Sequence, residues 1–281
     1  MANRDQRARI AAETMAIVAS GVYRAPSGRE VVIGDVIRTA EETSMLITPG
    51  DFRSLQRRAT EAMALASYST TFAVSNETTL SAARRLAAKY GSNRTAALNF
   101  ASAKNPGGGF MGGSQAQEES LARASALYSC LNRNMAYYDA NRASPSLLYT
   151  DHMIVSPEVP VFRDDADQLL EDPFQVTFIT SPAPNAGAIA KTQPDSLDQI
   201  EVTFRRRMEH VLSAAIVQGQ TALVLGAWGC GVFGNDSEGV AGLFAELLLG
   251  TGHYAHAFQH VEFAVLDRRG DTIAPFSKIF G

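Results

Sequence analysis

The sequence predicts an α/β fold in which helices cover one sheet. Strand-like and helix-like periodicities alternate through most of the 281 residues, the pattern of a largely parallel or mixed sheet. Several strand candidates run into a turn or glycine loop that is followed by a helix. Hydrophobic residues at 46% and charged residues at 19% supply an ample core without the charge excess of disordered chains.

The first sixty-odd residues look different from the rest. Ile10, Met15, Ile17 and Val18 are spaced for an amphipathic helix. "YRAPSGREVVI" suits a hairpin, and in "TPGDFRSLQRRATEAM" Pro49 and Asp51 signal a helix start. We expect residues 1–67 to form an accessory region, mostly helical, packed on a core of residues 68–281. "TTFAVS" (70–75), a helix over 76–91 closed by Gly91, and "RTAALNFAS" (94–102) then read as a βαβ unit. "EESLARASALYSCL" carries Leu121, Ala124, Ala126, Leu127 and Leu131 at roughly helical spacing and predicts one helix.

"FQVTFITSPAPN" is a strand ending in a proline-rich loop. Ile200, Phe204, Met208, Val211 and Leu212 share a face of the next helix, with Asp195 or Ser196 as cap. "TALVL" is a buried strand running into a glycine loop. The helix after it is capped by Asn235, Asp236 or Ser237 and ends at Gly250, and "HVEFAVLD" is a late strand.

A net charge of -4 gives no basic field, so direct nucleic-acid binding is not expected. Cys130 and Cys230 offer no disulfide framework and suit a reducing compartment, the cytoplasm. Glu13 interrupts the apolar part of the first segment, against a signal peptide. The long uncharged run 211–235 contains Gln218, Gln220 and several glycines, so no membrane span is expected.

"NPGGGFMGG" packs five glycines into nine positions ahead of Glu118 and Glu119. Gly107, Gly109 and Gly112 satisfy the spacing G-x-G-x-x-G, but the interval onward is helical and lacks the strand-terminal acid that a dinucleotide fingerprint requires. The second loop, "GAWGCGVFGN" (226–235), can wrap an anion with backbone N–H groups alone. Neither loop contains the GK[ST] of a P-loop. Two such loops suggest one extended phosphate-containing ligand. His253, His256 and His260 match no zinc spacing, so no metal and no cofactor is expected. Cys230 and Trp228 read as packed residues, and Arg205, Arg206 and Arg207 as a solvated helix face.

Gly107, Gly108 and Gly109, then "FMGGSQAQ" ending in Gln117, then Glu118 and Glu119, resemble the signature of poly(ADP-ribose) glycohydrolases. "NFASAKNPGGGF", "TSPAPNAG" and "GAWGCGVFGN" are similar to the bacterial-type branch, and the likeness runs from about residue 70 to the C-terminus and touches the N-terminal region. The resemblance implies a macrodomain-like mixed sheet flanked by helices, with ADP-ribose at the strand ends. It implies Glu119 as the catalytic carboxyl and Glu118 as its neighbour on the ribose hydroxyls. Gly229, Cys230, Gly231, Val232, Phe233, Gly234 and Asn235 become a phosphate loop, with Phe233 against the terminal ribose. Asn105 takes a ribose-binding place, Gly107, Gly108, Gly109 and Gln117 join it as substrate-binding residues, and Glu77 becomes an adenine contact. The implied partners are poly(ADP-ribose), ADP-ribose and ADP-ribosylated proteins, handled by a monomer.

Cleaving a ribose–ribose bond requires a proton for the departing oxygen and then an activated water, and one carboxyl can serve both steps. Adjacent helical residues point about 100° apart, so the two glutamates must divide the work. Glu119 is expected to be held protonated by Glu118 and the pyrophosphate, with the helix N-terminus opposing. Two other readings are a non-catalytic ADP-ribose reader and an NAD-dependent oxidoreductase.

Overall fold

The computed structural model describes residues 3–281. In chain order the elements are α1 (Arg4–Ser20), β1 (Val22–Arg24), β2 (Glu30–Val32), α2 (Gly34–Thr43), β3 (Met45–Ile47), α3 (Phe52–Leu65), β4 (Thr71–Ser75), α4 (Thr79–Tyr90) and β5 (Thr95–Phe100). There follow α5 (Gln117–Ala124), α6 (Leu127–Asn132), α7 (Met135–Ala143), β6 (Met153–Arg163), β7 (Leu169–Ser181), α8 (Ala186–Thr192) and α9 (Gln199–Val217). The chain closes with β8 (Ala222–Leu225), α10 (Ser237–Leu248), β9 (His260–Ala264) and α11 (Ala274–Phe280).

Seven strands form one mixed sheet in the order β3-β6-β7-β5-β8-β9-β4. β7, β5, β8, β9 and β4 run parallel, while β6 and β3 are antiparallel additions at one side. The parallel strands therefore send their connecting loops out at the same end of the sheet, where ligands of open α/β sheets bind. β5 is buried on both faces, as parallel central strands are. Ala96 and Leu98 join one apolar cluster with α3, α9 and α10, and Ala97 joins the other with α2, α4 and α6.

Most of the elements anticipated from periodicity are present. β1 and β2 pair as the expected hairpin, with Val22 opposite Val32. Thr48 and Asp51 cap the entry to α3 reciprocally, a capping box around Pro49. Gly91, at φ +99°, closes α4. The unit β4-α4-β5 exists, but its strands are not neighbours, since β9 and β8 lie between them.

Three expectations need correction. The single helix expected over 118–131 is two helices, α5 and α6, because Ser125 turns extended (φ -147°, ψ 177°) and bridges to Val161 of β6. Its hydroxyl substitutes for the lost helical bonds, donating to Leu121 O at 2.7 Å and accepting from Leu127 N at 3.2 Å. The long helix α9 starts at Gln199, and Asp195 and Ser196 belong to a separate short turn, Pro194–Ser196, ahead of it. The shared apolar face of α9 does form, with Phe204, Met208, Val211 and Leu212 buried.

Of the arginine triplet on α9, Arg205 and Arg206 keep the solvated face expected of them, but Arg207 does not. Arg207 is fully buried, donating to Asp151 Oδ1 (2.9 Å), Pro182 O (2.8 Å) and Tyr149 O (2.9 Å). Arg206 joins it on Asp151, and Arg205 pairs with Glu246. Burial alone would raise the Asp151 carboxyl, but the two guanidiniums outweigh it and hold Asp151 below its ordinary range. This knot ties α9 to the backbone just after β7 and to the Tyr149 segment. Arg207→Met should cost ~3–5 kcal/mol by leaving a half-buried carboxylate and two carbonyls underpaired. A denaturant titration checks it, and an unchanged midpoint would mean that Arg206 alone suffices.

Candidate active site

β5 ends at Phe100, and residues 101–116 form the loop that leads into α5. Gly107 and Gly108 take consecutive left-handed conformations (φ +63° and +59°), which explains a glycine run here. Gly108 N donates to Asn105 O at 3.0 Å and closes the first turn. Phe110 is the anchor of the loop, fully buried with its ring 4.9 Å from that of Tyr128.

α5 begins at Gln117, so both glutamates stand in its first turn. Gln117, expected among the substrate-binding residues, has both ends of its amide engaged within the protein instead. Its Oε1 accepts from Phe100 N at 2.9 Å, and its Nε2 donates to Leu98 O at 2.7 Å and to Thr79 Oγ1 at 3.1 Å. That amide fastens the start of α5 to the end of β5.

The two carboxyls diverge as helical geometry requires. Glu118 is 3% exposed, with Oε2 accepting from Ser102 N at 2.7 Å and Oε1 from Asn99 Nδ2 at 3.2 Å. Glu119 is half-buried, and its Oε1 accepts from Gly109 N at 3.0 Å. A side chain on Gly108 would collide with that same Oε1. Burial pushes the Glu118 carboxyl up to about 8, against the opposing bonds from Ser102 and Asn99, and the charge of Glu119 adds to the rise.

The second loop follows β8, the parallel neighbour of β5, so the two loops leave adjacent strands at one end of the sheet. Gly229 (φ +76°) is packed so that a Cβ would lie 2.6 Å from both Ala183 Cβ and Asn235 Nδ2. Asn235 Nδ2 donates to Pro184 O (2.8 Å) and Gly229 O (2.9 Å), and Phe233 O accepts from Gly187 N (2.8 Å). These bonds lock the loop base to the segment after β7. The crest is open: Gly231 has no heavy atom within reach of a Cβ, and Val232 is 92% exposed. Phe233 faces Tyr149 with ring centroids 6.1 Å apart. Burial pushes the Cys230 thiol up to about 12, which suits packing and not attack. Trp228 is buried edge-on against Phe204, as a core aromatic. Asp236 is the cap of α10, accepting from Gly239 N at 2.8 Å.

Asn105 is exposed at the front of the first loop. Glu77 stands apart, beyond the edge strand β4, with Oε1 accepting from Ser75 Oγ (2.8 Å) and Arg85 Nη2 (2.6 Å). The histidines do not converge. His260 is bonded to Thr71 and Glu262, His210 stacks on Phe52, and His253 and His256 line a surface hollow with Met63. Among the described residues no group of three or more side chains is arranged to hold a metal ion. Asn99, Ser102 and Tyr149 were not singled out from the sequence. An asparagine inside the apolar run "TAALNF" was the one available signal, and Ser102 acts through its backbone, which sequence does not display.

A mixed sheet with two glycine loops at adjacent strand ends, and a carboxyl pair in the first turn behind one of them, is a macrodomain-like arrangement suited to a glycosidic bond in a phosphate-bearing ligand. The chain belongs to the family described as "Microbial-type PARG, catalytic domain", whose model matches residues 11–164; PARG denotes poly(ADP-ribose) glycohydrolase. It is similar to the solved poly(ADP-ribose) glycohydrolase of Thermomonospora curvata bound to the inhibitor ADP-HPD, with 46% identity over 98% of this chain and 99% of that one and a TM-score of 0.90. A glutamate-to-alanine mutant of that enzyme aligns over 99% of this chain and 100% of its own, with 46% identity and a TM-score of 0.91. The Deinococcus radiodurans enzyme in complex with ADP-ribose shares 50% identity over 86% of this chain and 96% of that one, with a TM-score of 0.81. No curated protein sequence matches the chain.

Two outcomes follow from the geometry of the pair. Gly108→Ala forces Glu119 aside and strains a left-handed position by about 1–2 kcal/mol, so glycohydrolase activity should fall by at least about tenfold while thermal stability changes only modestly. Steady-state rates and a melting curve together check it.

Glu118 binds its proton more tightly folded than unfolded. Its contribution to stability is therefore full below about 4.5 and is lost as pH rises toward about 8. Glu118→Gln should gain stability relative to the unmodified protein as pH rises through that window, and parallel denaturant midpoints test the trend.

Proposed function

We propose that the protein hydrolyses the ribose–ribose O-glycosidic bonds of poly(ADP-ribose) to release ADP-ribose, with Glu119 as general acid and then general base. The observation that carries the assignment is the Gly109 N–H held on Glu119 Oε1. That bond occupies one oxygen as an acceptor and leaves Oε2 to carry the proton. As the bond to the anomeric carbon breaks, the proton passes from Oε2 to the departing ribose oxygen, and positive charge develops on the sugar. Water then attacks the anomeric carbon and returns its proton to Glu119.

Glu118 has a different part. Buried, with a donor on each oxygen, it is fixed in orientation and suited to hold ribose hydroxyls beside the reacting carbon. Gly107, Gly108 and Gly109 let backbone close over that ribose. Gln117 contributes by anchoring α5. Within residues 229–235 the N–H groups of Cys230, Gly234 and Asn235 are bonded inside the loop, and the crest, Gly231 to Phe233, offers its backbone N–H groups to the pyrophosphate, with Phe233 and Tyr149 flanking the terminal ribose. Asn105 reaches the ribose from the exposed front. Glu77 lies beyond β4, three strand positions from β5 or roughly 15 Å, so it serves the adenine end of an extended nucleotide.

The substrates in this reading are the polymer and ADP-ribosylated proteins. A cytoplasmic location belongs to the same reading, supported by two free thiols. No described helix is long and apolar enough to cross a membrane.

A non-catalytic ADP-ribose reader would use the same cleft, and one variant separates the two. Glu119→Gln should lower release of ADP-ribose from labelled polymer by about 10²–10⁴-fold while calorimetric ADP-ribose affinity stays near its original value. Release at the original rate would remove Glu119 from the mechanism. Loss of both properties would point to a role in binding.

A further inference from the structure

Helix α1 lies far from the glutamate pair in sequence, yet it grips the loop that positions them. Arg4 Nε donates to Gly112 O at 2.9 Å and Arg7 Nε to Gly113 O at 2.8 Å. Both are charge-assisted bonds to carbonyls at the downstream end of the glycine loop. The backbone of the two segments touches as well, for a side chain on Gly113 (φ +72°) would collide with Arg4 O. Ala11 of α1, Phe110 of the loop and Ala122 of α5 are all fully buried and form a small apolar cluster of their own.

The grip continues on the far side of the glutamates. Thr14 Oγ1 donates to Arg123 O at 2.6 Å, at the end of α5. Arg123, itself buried, returns to the loop by donating to Ser114 O (3.1 Å) and Gln115 Oε1 (2.5 Å). Thus α1 holds the segment carrying Glu118 and Glu119 both before and after the pair. The upstream turn, residues 105–109, is tied to this gripped end through Gly109 O, which accepts from Gly112 N and Ser114 N at 3.1 Å each, while Gly109 N donates to Glu119.

We propose that α1 is a brace for the catalytic loop, with Arg4 and Arg7 as positioning residues that set where the Gly109 N–H, and hence Glu119, stands over the substrate. Both arginines lie outside the span 11–164 matched by the family model. The brace rests on the reading of Glu119 as proton donor. It acts on the loop after β5 and not on the loop after β8, so it bears on the glutamates and their ribose contacts and leaves the pyrophosphate amides of the other loop untouched.

The test uses the full chain with Arg4→Ala, Arg7→Ala, the double variant and Arg7→Lys. The double variant should lose about tenfold or more in kcat on poly(ADP-ribose), since small misplacements of reacting groups are costly. Its ADP-ribose Kd should stay within about twofold, because backbone donors on an untouched loop hold the pyrophosphate. Arg7→Lys should restore part of kcat. Amide exchange should quicken over residues 107–116 and stay unchanged over 226–235. Unchanged kcat and unchanged exchange in the double variant overturn the brace, and so does an equal loss of kcat and ADP-ribose affinity. If the unmodified chain itself releases no ADP-ribose, the functional reading fails, while the exchange pattern still decides whether α1 holds the loop.

Discussion

Two carboxyls in adjacent positions of one helical turn point in different directions, and the structure makes use of that divergence. The backbone N–H groups of Ser102 and Gly109, from the two halves of the same loop, each take one carboxylate oxygen. Glu118 is drawn inward and Glu119 is left half-buried beside the glycine loop. Much of the surrounding architecture serves that division. Gln117 pins the helix start to the strand end, Phe110 anchors the loop in apolar surroundings, and glycine at 108 leaves room for the Glu119 oxygen.

Electrostatics reinforces the division. Desolvation dominates at Glu118 and lifts its carboxyl to about 8, although two donors favour the ionised form. A buried carboxyl that bears its proton near neutrality adds little repulsion to its neighbour or to a pyrophosphate. The loop after β8 carries no lysine or arginine in residues 226–235, so an anion bound there would be met by N–H dipoles. The sheet aligns this demand with the supply, because β5 and β8 are parallel neighbours and release both loops on one side.

Much of this was legible in the sequence, because glycine, capping residues and helical periodicity are local signals. The strand-to-glycine-loop-to-helix order around residues 95–124 and 222–248 could be read directly, and so could the hairpin over 22–32. Other features depend on long-range pairing that no local pattern carries. Ser125 leaves its helix to bridge with Val161, thirty-six positions away in sequence. Asn99 finds Glu118 because a loop of the right length folds back over β5. Arg207 looked like one of three surface arginines until Asp151 and two carbonyls from separate segments closed around it. The grip of α1 on Gly112 and Gly113 spans more than a hundred residues of chain and was equally invisible.

The claim on which the chemistry depends is spatial: the reacting sugar lies between the carboxyl of Glu119 and the amides after β8. A crystal structure with ADP-ribose bound measures this most directly. The account predicts the pyrophosphate on the backbone of residues 229–235 and the anomeric oxygen of the terminal ribose within about 3.5 Å of Glu119 Oε2, as general acid catalysis requires. A nucleotide seated in full occupancy with its terminal ribose turned away from Glu119 would contradict it.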